Sequence, residues 1–183
     1  SRNERLQKET EFNNALAEAV AFRGKNEWPK AIVAYERALK VYPDKDEVKK
    51  ALKETRETAH REAVKLALAK AGDYETQTEW EQARSAYNTA MELEPKNEDA
   101  KEGYFRTGRM IRALMQYNKL VEVAEVHVQH AEFQSAIRAF NEAVATKPAY
   151  LPLTDRVTQL REVLAVQSKP VEVTFNSDGD SWV

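Results

Sequence analysis

Apolar residues follow a helical rather than a strand period along most of the chain, and one pattern occurs three times. Trp28, Ala31, Tyr35, Ala38 and Pro43 stand at offsets 0, 3, 7, 10 and 15. Trp80, Ala83, Tyr87, Ala90 and Pro95 repeat those offsets, as do Phe133, Ala136, Phe140, Ala143 and Pro148. Spacings of 3, 4 and 3 gather the first four positions onto one face of an α-helix, and the proline ends it. A second apolar face precedes each copy: Ala15, Leu16, Ala19 and Phe22; then Ala67, Leu68, Ala71 and Tyr74; then Leu120, Val121, Ala124 and His127. Two amphipathic helices per copy predict a helical hairpin, occurring three times in succession.

These residues resemble the tetratricopeptide repeat, a helical hairpin in which small residues permit close helix contact and aromatics fill the wedge between neighbouring hairpins. The small positions of that pattern fall on Ala19, Ala31 and Ala38, on Ala71, Ala83 and Ala90, and on Ala124, Ala136 and Ala143, with the closing proline at Pro43, Pro95 and Pro148. Two departures are visible. An early aromatic of the family is replaced by Ala15, Ala67 and Leu120, and a later one becomes His127 in the third copy. The resemblance implies an all-α fold, an α-α solenoid of three hairpins.

The period differs from the family's. A tetratricopeptide repeat recurs about every 34 residues, whereas Pro43 and Pro95 are 52 apart and Pro95 and Pro148 are 53 apart. An excess of about 18 residues is five whole turns at about 3.6 residues per turn, so the same helix face returns to the same direction. Asp46 to Ala71 contains neither Gly nor Pro and keeps a small or apolar stripe through Val48, Leu52, Thr55, Ala59, Ala63, Leu66 and Ala67. The insert therefore reads as a lengthening of the first helix of each hairpin, interrupted near its end by Gly72-Asp73 and recurring from Glu98 to about His130. A second helix of ordinary length covers only half of such a helix. The other half is expected to pack on its counterparts, on another chain, or to stay solvated. Ser1 to Glu11, rich in charge, reads as the remnant of the same extension.

The expected organisation is one helical-repeat domain over 1–168, with hairpins at about 1–43, 44–95 and 96–148 and a capping helix over 151–168 whose apolar positions are Val157, Leu160, Val163 and Leu164. Over 169–183 the class changes. Val171-Glu-Val-Thr-Phe175 alternates, Asn176 to Asp180 reads as a turn, and Ser181-Trp-Val183 resumes. This tail is expected to be the start of a truncated β module, and it is similar to the opening of PEGA-type modules. That similarity tips the compartment towards an extracytoplasmic, membrane-anchored whole protein in a bacterial envelope, and Asp178-Gly-Asp180 reads as a polar turn rather than a calcium loop.

Composition narrows the chemistry. With 28 Lys+Arg against 30 Asp+Glu, a net charge of −2 provides no overall basic field for nucleic acid or an anionic membrane. The absence of Cys excludes disulfides, thiolate metal sites and Cys nucleophiles. No Gly-rich phosphate loop, Gly-x-Ser-x-Gly elbow or His-Glu-x-x-His is present, and the carboxylates are scattered among Lys and Arg. The chain therefore reads as non-enzymatic, without catalytic residues, cofactor or metal. His127 and His130 share a helix face with Glu125 and Glu132 nearby, but His127 sits at a core position of its hairpin and is read as packing.

What remains is a binding surface. The resemblance places inward, peptide-contacting positions on Asn13, Leu16, Val20 and Arg23, on Lys65, Leu68, Gly72 and Glu75, and on Asn118, Val121, Glu125 and Val128. The Lys and Asn with which chaperone-binding members clamp a peptide carboxylate are missing from the matched positions. A second surface is the arginine series Arg106, Arg109 and Arg112, suited to an acidic or phosphate-bearing ligand. The expected function is a protein–protein interaction scaffold for a protein or peptide partner. The competing expectation is a structural stalk or self-association module, a homo-oligomer through the long helices, that displays the C-terminal β domain.

Overall fold

A computed structural model describes residues 2–168 and contains, among them, seven α-helices and no strand. They are α1 (Arg2–Gly24), α2 (Trp28–Val41), α3 (Asp46–Thr76), α4 (Trp80–Leu93), α5 (Glu98–Gln129), α6 (Phe133–Thr146) and α7 (Asp155–Gln167). The fold is all-α and built of helical hairpins. The chain divides into two compact units whose boundary falls within α5, between Gly108 and Arg109. No helix among the described residues is long and apolar enough to cross a membrane.

The short helices α2, α4 and α6 have 14 residues each, and the long helices α3 and α5 have 31 and 32. Local signals set the ends. Asp46 and Glu47 place negative charge in the first turn of α3, where the helix dipole favours it. The Asn97 side chain accepts from the Ala100 amide (2.9 Å) at the start of α5, and Thr154 caps α7.

The three hairpin turns share one hydrogen-bond scheme. The amides of Glu27, Glu79 and Glu132 donate to the carbonyls of Phe22, Tyr74 and His127 at 2.8–2.9 Å, while those of Asn26, Thr78 and Ala131 donate to Arg23, Glu75 and Val128. This is the Schellman ending, which requires a left-handed residue, and Asn26, Thr78 and Ala131 have φ of 58–59°. The long helix therefore does not break at Gly72-Asp73 as expected. It passes through Gly72, and the left-handed position is Thr78. A β-branched residue is poorly suited to that conformation. Thr78→Gly is expected to stabilise the protein by about 1 kcal/mol, Ala131→Gly by about half of that, and Asn26→Gly hardly at all; thermal melts of the three variants check the order.

In the first unit, α1 and α2 bury Ala15, Ala19, Tyr35 and Ala38, and the same core takes in Val48 and Leu52 from the first half of α3. The second half of α3 pairs with α4, where Ala67 and Ala90 close a smaller core with Ala100 from the start of α5. The extensions of α3 and α5 are thus covered by the hairpin that precedes each of them. Close approach is visible at Thr55 and Thr107, both fully buried, whose hydroxyls donate back to Ala51 and Gly103 of their own helices. The start of α1, residues 2–11, is exposed throughout.

In the second unit, the remainder of α5 packs with α6 and α7 around Tyr117, Val121, Ala124, Ala136, Phe140 and Ala143, joined by Val157, Leu160 and Leu164. Helix α7 covers this core as the expected capping helix does, except that Val163 turns outward and is 44 % exposed. The β tail expected over 169–183, with its Asp178-Gly-Asp180 turn, lies outside the described residues.

Candidate functional site

The inward positions of the long helices do not form a single open lining. Asn13, Lys65 and Asn118 are exposed, and Val20 is 58 % exposed, whereas Leu16 and Leu68 are half-buried against their hairpin cores. Val121 is buried within the second unit's core, with Val128 packed beside it, so Val121 is a packing residue rather than a partner contact. Arg23, Glu75 and Glu125 are occupied by ion pairs that run from one odd-numbered helix to the next. Arg23 reaches Glu54 (3.4 Å), Glu75 takes both nitrogens of a fork from Arg106 (3.1 and 3.0 Å), and Glu125 does the same for Arg156.

In all three pairs the partners are 31 residues apart, and the sign is reversed in the first. The next long helix, or α7, is thereby tied to the hairpin it covers. Bidentate pairing fixes geometry better than a point charge does, although partial exposure keeps each pair modest. Arg106→Glu is expected to destabilise the protein by about 1 kcal/mol, and the reciprocal Glu75→Arg exchange in the same chain to recover most of it; a double-mutant cycle in urea measures the coupling.

These contacts correct the reading of the arginine series. Arg106 is committed to Glu75 and also donates to the Tyr87 hydroxyl (3.2 Å), so it is not presented to an anionic ligand. Arg109 and Arg112 are exposed in the second unit. Burial holds the Tyr87 hydroxyl above the usual phenol range, with Glu75 adding to the effect, and the Glu75 fork raises Arg106. Nearby, Arg84 stacks on Tyr104 (4.4 Å to the ring centroid) and donates to its hydroxyl. His127 is half-buried rather than in the core, and its Nδ1 meets Glu132 across the turn. Among the described residues no group of three His, Asp or Glu is placed to hold a metal.

The sequence pattern misses a different surface, the opposite side of each hairpin in the first unit. Between α3 and α4 lies an open groove of about 440 Å³. Its walls are Ala63, Leu66, Ala67, Lys70 and Tyr74 from α3, and Gln82, Ser85, Ala86, Thr89 and Leu93 from α4. Leu66 is 58 % exposed there. On the α1–α2 hairpin the corresponding trough is divided in two, because Glu18 and Arg37 pair across it and border both halves. Fifty-two residues later those positions are Lys70 and Thr89, which cannot pair, so the α3–α4 groove runs uninterrupted. Lys70 has no carboxylate partner among the described residues. A signal for this was present in the chain, since Leu66 and Lys70 continue the α3 stripe of Val48 and Leu52 18 residues further on.

Comparison with protein-family models, with curated proteins and with solved structures finds no match.

Proposed function

We propose that this chain is a non-enzymatic protein–protein interaction scaffold whose tetratricopeptide-like hairpins hold a helical segment of a partner. The observation that carries this reading is the uninterrupted α3–α4 groove, with small apolar residues along its floor and an exposed leucine at its lip. Small residues admit a helix backbone closely, and an exposed apolar groove with a polar rim is the form taken by helix-in-groove recognition. A hairpin of this chain already seats a helix on its other side, where Val48 and Leu52 of α3 pack against α1 and α2.

A structural reading stands beside it, in which the long helices act as a spacer or self-association element displaying a C-terminal β domain from a membrane-anchored envelope protein. The sharing of α3 between two cores favours that reading, because it gives continuous helix across both hairpins of the unit. Photo-crosslinking distinguishes the two. A crosslinker replacing Leu66 is expected to capture a discrete second protein in the cell of origin, while one replacing Glu57, exposed on the same helix, captures none. Adducts of the chain with itself alone would favour the structural reading, and equal yields at both positions would remove the groove from either.

A further inference from the structure

The α3 face at the lip of this groove is self-complementary, and we infer that its occupant is a second copy of this chain, paired α3 to α3 about a twofold axis. The inference rests on the self-association reading above rather than on capture of a different protein, and it deepens that reading by assigning the groove's partner. Glu62, Leu66 and Lys70 are four residues apart, lie on one helix stripe and are all exposed. Neither Glu62 nor Lys70 has an opposite charge engaged within the described residues.

Their order matters. In an antiparallel pair centred on Leu66, Glu62 lies opposite Lys70 of the partner subunit, and Lys70 lies opposite Glu62 of the partner subunit. A twofold interface requires this kind of self-matching patch, with every heterotypic contact made twice. The leucine at the centre falls between small side chains, Ala63 and Ala67 on α3 and Ala86 on α4, which allow the helices to approach. The α1 counterpart lacks the apolar centre and the pair of opposite charges. There the three positions are Thr10, Asn14 and Glu18, without an apolar centre and with Glu18 already engaged by Arg37.

The test is sedimentation equilibrium of the chain from low micromolar to millimolar concentration at low salt. Wild type is expected to associate to a dimer. Lys70→Glu alone sets Glu against Glu at both ends of the pair, and Glu62→Lys alone sets Lys against Lys, so each is expected to weaken association by about tenfold. An equimolar mixture of the two single variants restores both attractions in the heterodimer and is expected to return to within about threefold of wild type. Because the two residues are exposed, melting curves of the variants confirm that folding is not what changed. A chain that stays monomeric throughout, or variants that associate like wild type, or a mixture that behaves as the average of its parts overturns the inference. If wild type is monomeric yet the Leu66 crosslinker captures another protein, the dimer fails and the scaffold reading survives.

Discussion

Ala136→Trp is expected to lower the melting temperature by about 5–10 °C, and Ala83→Trp to do the same. Both alanines are fully buried, at the same step of two short helices, so a larger side chain at either position must displace its neighbours. A large ring inserted at such a contact forces backbone shifts that cost about 1–3 kcal/mol or more. Ala145→Trp, on the exposed side of α6, serves as the control and leaves the melt unchanged. Thermal unfolding followed by circular dichroism decides the matter. If neither buried substitution moves the transition, the placement of these alanines at helix contacts is wrong.

Gly103→Ala is the second substitution with a large expected effect, and its sign runs against helix propensity. Alanine is the better helix former by about 1 kcal/mol, and at Gly72, where an added Cβ meets nothing within 4 Å, that gain should be realised. At Gly103 an added Cβ would lie 2.3 Å from Cε1 and Cζ of Tyr87. The ring has little freedom to retreat, since Tyr87 is buried and its hydroxyl accepts from Arg106. Gly103→Ala is therefore expected to destabilise by about 1–3 kcal/mol, while Gly72→Ala stabilises. Placing Gly103→Ala in a Tyr87→Leu background should remove the penalty, and a double-mutant cycle in denaturant reads the coupling. Stabilisation of the otherwise unchanged protein by Gly103→Ala would mean that Tyr87 swings aside freely.

Much of the fold is legible because helix periodicity reports which residues share a face. The offsets that single out Ala31, Tyr35 and Ala38, and their equivalents in the other two copies, select residues that are all buried, and so do Ala19, Ala71 and Ala124. The lengths of α3 and α5 follow from the gap between copies and the missing helix breakers. Periodicity says nothing about which element covers a face. That is why the neighbour of each extension, the hairpin before it, did not follow from the pattern, and why Arg23, Glu75 and Glu125 looked available when Glu54, Arg106 and Arg156 occupy them. The turns were obscured by composition. A glycine is the usual left-handed residue, so Gly72 drew attention from Thr78 and Ala131, which adopt that conformation without being glycine. The groove required knowing that Glu18 and Arg37 face one another across a hairpin, and hence what their replacement by Lys70 and Thr89 opens.

The sharing of α3 between two cores has a consequence for how the first unit comes apart. Val48 and Leu52 belong to one core and Ala67 to the next, on a single helix of 31 residues. A helix segment stripped of its packed face has little stability of its own in water. Loss of the α1–α2 core therefore leaves the first half of α3 without support, and fraying there runs along the backbone ladder towards the second hairpin. In a stack whose members each own their helices, one member can melt while its neighbour holds. Here the two hairpins share a helix as a common girder, and their local opening is bound into one cooperative step.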